Sequence, residues 1–394
     1  MTGIRANESL AARLREGLAE RLVESGAIRA PEWRRAVEAV PREKFLGERV
    51  YLSRDEGGFT YWEAMTPEGC GNEGWLRLAY SDETLVTQIQ EIGRADRHGR
   101  ISGEPTSSST LPGLVVSMLE DLRVEDGQRV LEIGTGSGYS TALLCHRLGD
   151  DALVTSIDVD PDIAAKAAVA LHAAGYRPRL LAGDALTGYL GEGPYDRLIA
   201  TCSVRHVPQA WIERVRPGGV VLATLSGWLY GSGLARLTVT GAGTAHGNFL
   251  PGTVSFMTAR AHHAPHLPQP PRDGDRRPAR FGADTLNEWM PRWIAQLAVP
   301  TASRFTVFDD AGPVTCITDG ESSAWLSGSG EAGWSVTQGG RHRLWDRIEA
   351  AVQAWRDSGS PSQDRFVLTV AERRQVVSCP EHPALTWALP IIRS

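Results

Sequence analysis

The chain has 394 residues, 42% of them hydrophobic and 22% charged, with a formal net charge of −6. This is the composition of a soluble globular protein long enough for two domains. The acidic balance excludes a general nucleic-acid binder, which needs a clustered excess of Lys and Arg. No apolar run approaches the roughly 20 residues of a membrane span, and the N-terminus lacks the continuous apolar core of a secretion signal, so a cytoplasmic location is expected. The five cysteines (Cys70, Cys145, Cys202, Cys316, Cys379) show no CxxC or His/Cys spacing, and neither a metal nor a disulfide is expected.

Leu10, Leu14, Leu18 and Leu22 recur every four residues and predict an amphipathic helix over 8–24. A short helix follows Pro31, carries Trp33, Val37 and Val40, and stops at Pro41. Residues 42–104 are rich in Gly and aromatics and are expected to be irregular. Leu114, Val115, Met118, Leu119 and Leu122 predict a helix from Pro112 to Leu122. From residue 128 strands and helices alternate: QRVLEIG, a helix over 139–148, ALVTSID, a helix over 161–174, RLLAG, YDRLIAT, a helix near 208–215, and GGVVLATL. Short buried strands with crossover helices predict an α/β fold built on a mostly parallel sheet. LARLTVT and TVSFMTAR are expected as antiparallel strands returning to it. Residues 264–280 are Pro- and Arg-rich and are expected to be a linker. The domains are therefore expected as an N-terminal helical and substrate-loop region (1–110), a Rossmann-like core (111–263), and a C-terminal α+β module (281–394). That module is expected to hold a helix starting at Asn287–Leu297, β segments at Arg304–Phe308 and Trp334–Gln338, and a helix over Leu344–Trp355. Its many tryptophans either fill its core or line a peptide groove.

The strongest motif is Val130-Leu131-Glu132-Ile133-Gly134-Thr135-Gly136-Ser137-Gly138-Tyr139, a buried strand entering a Gly-x-Gly-x-Gly turn that opens a helix. Alternate glycines let the backbone turn sharply and approach a ligand at the helix N-terminus. The spacing differs from the dinucleotide fingerprint. Glu132, two positions before the first glycine, favours the mixed-charge tail of S-adenosylmethionine over a pyrophosphate. Asp158, ending the next strand, is placed to accept two ribose hydroxyls, although an acidic residue there also starts helices. Asp184 could accept from the adenine amino group, or simply make a Gly-Asp turn. Val159, Ala185 and Thr201, at or just beyond the ends of successive strands, and Ser107 complete the expected cofactor set with Gly134, Thr135, Gly136 and Gly138. Arg205 and His206 follow the fourth strand, where substrate-facing loops lie; Arg205 could attract an acidic peptide or be a solvated loop charge.

Over about residues 31–260 the sequence resembles the protein-L-isoaspartate O-methyltransferases. The resemblance is carried by Val40-Pro41-Arg42-Glu43-Lys44-Phe45, Tyr80-Ser81-Asp82, the VLEIGTGSGY block, Gly183-Asp184, Tyr195-Asp196-Arg197-Leu198-Ile199-Ala200-Thr201, and Arg216-Pro217-Gly218-Gly219. It implies a Rossmann-like methyltransferase using S-adenosylmethionine, releasing S-adenosylhomocysteine, and acting on a carboxylate of a peptide or protein. It also places Tyr80 and Asp82 on the substrate side. The family's GQTIS-x-P loop is here Thr106-Ser107-Ser108-Ser109-Thr110-Leu111-Pro112, so the Gln is lost. With LLCHRLGD, GGRHRLWDRIEAAVQAWRDSG and RFVLTV, this serine-rich version resembles a branch found in gene clusters for ribosomally made, modified peptides, beside ATP-grasp (graspetide) or lanthipeptide enzymes. That branch implies methylation of one aspartate in a crosslinked precursor peptide and closure to an aspartimide or isoaspartate; the alternative is isoaspartate repair. The acceptor carboxylate is already ionised at pH 7, so positioning carries the rate, and Ser108, Ser109 and Thr110 are the residues expected to orient it.

Overall fold

The computed structural model describes residues 2–56, 59–92, 100–188, 190–241, 243–309, 312–329 and 333–391. In chain order its elements begin with α1 (Thr2–Glu24), α2 (Pro31–Ala39), β1 (Val50–Glu56), β2 (Phe59–Met65), α3 (Pro67–Ala79), β3 (Leu85–Glu91), β4 (Gly103–Ser109) and α4 (Pro112–Leu122). The alternating stretch follows as β5 (Val130–Ile133), α5 (Tyr139–Leu148), β6 (Val154–Asp158), α6 (Pro161–Ala174), β7 (Arg179–Ala182), β8 (Tyr195–Val204), α7 (Gln209–Arg214) and β9 (Val215–Ser226). The remainder is β10 (Ser232–Gly241), β11 (Thr244–Phe249), β12 (Asp275–Ala279), α8 (Trp289–Ala298), β13 (Ser303–Asp309), β14 (Gly312–Thr318), β15 (Ser322–Ser329), β16 (Gly333–Gly340), α9 (Leu344–Asp357), β17 (Val367–Ala371), β18 (Arg374–Cys379) and β19 (His382–Ala388). The chain divides into two units, Met1–Thr201 with Arg214–Leu222, and Cys202–Glu213 with Ala223–Ser394. No described helix is long and apolar enough to cross a membrane.

The first unit is a Rossmann-like α/β fold with an N-terminal helical extension. Its sheet runs β7-β6-β5-β8-β9. β5 pairs in parallel with β6 on one side and β8 on the other, so the chain reverses its direction of strand addition at β5. That is the topological switch point, where sheets of this kind bind ligands beyond the strand ends. All four residues of β5 are buried, Glu132 among them, as in a strand covered on both faces. Asp160 starts α6 by accepting from the Asp162 and Ile163 amides, with Pro161 in the first turn. On the N-terminal side, Leu18 and Leu22 of α1 are buried as their spacing predicts.

The segment 42–104, expected to be irregular, instead contains α3, three strands and the start of a fourth, in an antiparallel sheet of order β2-β1-β3-β4. Ile101 also bridges to Trp62 through paired backbone hydrogen bonds of 2.8 and 3.0 Å, and the Trp62 indole donates to the Gly103 carbonyl at 2.8 Å. The start of β4 is thereby returned to β2, which leaves fewer open strand edges. The hydroxyl run expected as a loop is thus mostly strand, with Ser107 and Ser109 buried and Ser108 on the opposite face.

Tyr80, expected to face substrate, is 2% exposed. Its hydroxyl donates to the Glu43 carboxylate and accepts from Arg15 at 3.3 Å, while its carbonyl accepts from Arg21 of α1 at 2.9 Å. It fastens the helical extension and has no face left for a peptide. Burial and Glu43 both push its phenol well above the ordinary range.

The second unit is an α+β module. One of its sheet regions is ordered β19-β18-β17-β11-β10, antiparallel at each of these neighbours, and a five-stranded sheet is ordered β12-β16-β15-β14-β13. The residues 264–280 lie wholly within this unit, and Asp275–Ala279 forms a strand on β16. TVSFMTAR is not a regular strand: it makes an isolated parallel bridge, Thr258 with Ser203. The antiparallel place beside β10 is taken by Thr244–Phe249, paired from Ala235 with Phe249 to Gly241 with Thr244. Trp293, Trp325, Trp345 and Trp355 are buried, and Trp293 meets Phe249 and Phe366 edge-on with centroids 5.0 and 4.9 Å apart. These tryptophans build the core of the unit.

Tyr80→Phe, which deletes the hydroxyl's hydrogen bonds to Glu43 and Arg15 and keeps the ring, is expected to lower stability by about 1 to 3 kcal/mol in denaturant unfolding. An unchanged midpoint would mean that the hydroxyl does not fasten α1.

Candidate active site

The site is assembled from the carboxyl ends of β5 and β6 and the end of β4. Gly134, Gly136 and Gly138 all have positive φ, at 94°, 53° and 87°, a conformation that favours glycine. The turn is fixed from three directions. The Gly134 amide donates to the Ile157 carbonyl at 2.7 Å, and Thr201 Oγ1 donates to the Gly134 carbonyl at 2.5 Å. The Gly136 amide donates to Asp158 Oδ2 at 2.9 Å. A Cβ on Gly134 would stand 2.5 Å from Thr201 Oγ1, so glycine is required there for space as well as conformation.

Beneath the turn, Glu132 is fully buried. Its Oε1 accepts from Ser140 at 2.5 Å, and its Oε2 from Thr141 at 2.5 Å and Ser156 at 2.7 Å. Thr135, 2% exposed, joins the network through Ser156 Oγ at 2.7 Å. Burial raises the Glu132 carboxyl above its ordinary range, and the three hydroxyls oppose that rise. This corrects the expected contact between Glu132 and the cofactor's charged tail: the carboxylate is sealed under the loop and shapes it from below. Thr135 likewise turns its side chain inward, leaving only its backbone to face a ligand.

Asp158 Oδ1 accepts from the Asp160 amide at 3.0 Å, so the carboxylate is anchored at the end of β6, next to the glycine turn. Val159 beside it is 42% exposed, an apolar surface of the kind that covers one face of a planar base. Asp184 Oδ1 accepts from the Leu186 amide at 2.9 Å, and Ala185 is buried. These residues suit S-adenosylmethionine: a glycine cradle at the switch point, an acidic strand end for a ribose, and an exposed apolar residue next to it.

The third side of the site is β4. Its position depends on Arg42, which was not singled out from the sequence although it lies in the Val40–Phe45 motif. Arg42 is fully buried. It donates to the carbonyls of Ala79, Ser81, Glu83, Ser109 and Thr110 at 2.9 to 3.2 Å and to Ser109 Oγ at 3.2 Å. Its guanidinium stands 5.9 Å from the Tyr139 ring centroid. Burial pulls its pKa down to about 10, which leaves it charged at neutral pH. The end of β4 so held puts the Ser108 carbonyl 3.5 Å from where a Gly136 Cβ would lie. Of the expected orienting hydroxyls, Ser109 is thus committed to Arg42 inside the core, and Ser107 pairs with Thr87 at 3.1 Å. Ser108 and Thr110 remain half-buried. Asp82 accepts from the Gly113 amide at 2.7 Å and caps α4.

Arg205 and His206, expected in a substrate-facing loop, belong to the second unit and are 5% and 7% exposed. Arg205 donates to the Pro300 carbonyl at 2.7 Å, and the His206 ring lies 4.8 Å from that of His262. Neither is a solvated loop charge. Burial, with Arg205 beside it, brings His206 down to about 4. Among the described residues no His, Cys, Asp and Glu group could hold a metal ion.

Fold and site together define an S-adenosylmethionine-dependent methyltransferase of the Rossmann-like class. A model of the protein-L-isoaspartate(D-aspartate) O-methyltransferase family matches residues 74–227. The protein-L-isoaspartate O-methyltransferase of Methanopyrus kandleri is 32% identical over 209 residues, covering 52% of this chain and 74% of its own. That of Ignicoccus hospitalis is 29% identical over 206 residues, covering 52% and 78%. A solved protein-L-isoaspartate O-methyltransferase aligns with 93% of this chain and 99% of its own at a TM-score of 0.53 and 19% identity, a likeness of fold. The chain belongs to the protein-L-isoaspartate O-methyltransferase family and is a carboxyl O-methyltransferase that uses S-adenosylmethionine.

Two variants separate binding from support. Asp158→Asn removes the charge and sets an NH2 against one of the two backbone amides that the carboxylate accepts from; it is expected to weaken S-adenosylhomocysteine binding about tenfold or more in calorimetry, with a smaller loss of stability than Glu132→Ala. Glu132→Ala strands the hydroxyls of buried Thr141 and Ser156 and of half-buried Ser140, and is expected to cost about 2 to 4 kcal/mol of stability. The reverse pattern would contradict these assignments.

Proposed function

We propose that this enzyme methylates an aspartate side-chain carboxylate in a ribosomally made, modified peptide, and that the ester then closes to an aspartimide or its isoaspartyl hydrolysate. The observation that carries this reading is β4, where a run of hydroxyls replaces the family's Gln-containing loop and ends at the glycine turn. An acceptor entering there meets hydroxyl donors in place of the family's amide. A crosslinked precursor is the substrate that the branch resemblance favours.

The cofactor would be held by the backbone of Gly134, Gly136 and Gly138, by Asp158 through ribose hydroxyls, by Val159 against the base and by Asp184 near its amino group. Thr201 acts through its grip on the Gly134 carbonyl, and Ser107 and Ala185 support the walls. When bound, S-adenosylmethionine supplies an electrophilic methyl group on a positively charged sulfur. Ser108 and Thr110 donate hydrogen bonds to the acceptor carboxylate and hold one oxygen free for attack. The carboxylate is ionised at pH 7, so no general base is needed, and orientation carries most of the rate. In the ester, the following residue's backbone nitrogen attacks the side-chain carbonyl, forming the imide C–N bond and releasing methanol with the amide proton.

A second reading, repair of isoaspartyl residues, is favoured by the names of the relatives and by a solved protein of that name aligning with 93% of the chain. Mass spectrometry distinguishes the two when the enzyme and S-adenosylmethionine are offered an isoaspartyl test peptide and, separately, the crosslinked peptide from the same gene cluster. Tailoring predicts a methyl gain on the native peptide, then loss of methanol, for a net loss of one water. Efficient methylation of the isoaspartyl peptide with none on the native one contradicts it and leaves repair.

A further inference from the structure

The sheet edges of this protein are blunted in most places, and β13 is the exception. β7 has four residues, β4 contains Pro105, β12 contains Pro278 and β19 contains Pro383. The Trp62 amide and carbonyl in the middle of β2 are taken by Ile101. Short length, proline and a covering segment are the usual means of keeping an edge from pairing with another chain. β13 has seven residues, no proline and, among the described residues, β14 as its one neighbour in the sheet. Thr306 and Phe308 on it are exposed, Phe308 by 80%.

The ladder shows which of its backbone groups are open. Pro313 stands opposite Phe308 and has no N–H to give, so that pair is a non-hydrogen-bonded one. Antiparallel pairs alternate, so Arg304, Thr306 and Phe308 turn their N–H and C=O groups to the open side. The Phe305 and Val307 side chains pack against Val314, Cys316 and Trp325, and those of Arg304, Thr306 and Phe308 lie on the opposite face. The Arg304 guanidinium donates to Asn287 Oδ1 at 3.4 Å and has no ion pair among the described residues; burial and nearby Arg292 push its pKa below the ordinary range.

This outward set is its own complement. Turned about a two-fold axis at Thr306, a second β13 sets Thr306 opposite Thr306, Arg304 opposite Phe308 and Phe305 opposite Val307. Every outward amide and carbonyl then meets its counterpart, the unpaired cation of one copy lies against the aromatic ring of the other, and the apolar face continues across the junction. Moving the axis by one residue leaves an end of the outward set without a partner, and moving it to Arg304 sets like charges face to face.

We propose that β13 is the interface of a homodimer, in which two copies of this chain join their five-stranded sheets edge to edge through antiparallel β13 strands. The inference is independent of which carboxylate is methylated. One strand pair is a small interface, so sedimentation equilibrium of the full-length protein, under reducing conditions, is expected to show a reversible monomer–dimer equilibrium between about 1 and 300 µM. Thr306→Pro removes an N–H that faces solvent in the monomer; it is expected to weaken the dimer at least about tenfold and leave the unfolding midpoint of the monomer unchanged. Phe308→Arg sets a second cation against Arg304 of the other copy and is expected to weaken the dimer as much, whereas adding Arg304→Glu to that variant is expected to restore it. The two positions are about 13 Å apart along one strand, so such a rescue reports the register between copies. A monomer at every concentration, whatever peptide the edge then takes, a dimer indifferent to either single substitution, or a double variant no tighter than Phe308→Arg overturns the proposal.

Discussion

The site depends on one buried cation. Arg42 has no carboxylate partner among its hydrogen bonds and spends its donors on neutral oxygens from the end of α3, the turn before β3, and the end of β4. A guanidinium suits this task because its planar fork presents five donors in fixed directions and is more weakly hydrated than an ammonium. Three backbone segments are thereby gathered at one point, and the inserted strands acquire a fixed end next to the glycine turn. The desolvation of the cation is compensated only while all three segments remain in place, so the clamp links the folding of the insertion to the geometry of the site.

Below the turn, a buried anion does the same work from the opposite side. Glu132 gathers Ser140 and Thr141 from α5 and Ser156 from β6, so the helix and strand flanking the turn share one acceptor. The charged groups of this site are therefore mainly internal braces, and the surface left to ligands consists of backbone, hydroxyls, Asp158 and Val159. That division suits carboxyl methylation, in which the nucleophile arrives ionised and the protein must chiefly hold it still.

The alternating strands and helices from 128 to 226 were legible because short runs rich in Val, Leu and Ile alternate with helical stretches, one of them opened by the cap signal Asp160-Pro161. The inserted sheet was not. In β1 the residues Ser53–Glu56 are exposed, so no alternation marks the strand, and β4 (GEPTSSS) holds Gly, Pro and Ser in place of strand formers. Its pairing comes from tertiary partners. Burial of polar residues was the other blind spot: Arg42 and Arg205 are of a type usually found at surfaces and Tyr80 of a type found in both places, and only the fold reveals the carbonyls, carboxylates and rings that receive them. Glu132 illustrates a residue singled out correctly for its position but for the wrong contact, since the hydroxyls that occupy it come from 8, 9 and 24 residues further along the chain.

The central claim is that Arg42 acts on catalysis by fixing the end of β4 at the glycine turn. The direct measurement is methyl transfer by Arg42→Lys at saturating S-adenosylmethionine, on the peptide the wild-type enzyme methylates fastest, beside its affinity for S-adenosylhomocysteine. A lysine cannot serve the same set of carbonyls, so transfer is expected to fall at least about tenfold while cofactor affinity stays within about threefold. Wild-type transfer rates, or parallel loss of transfer and cofactor binding, would contradict the account.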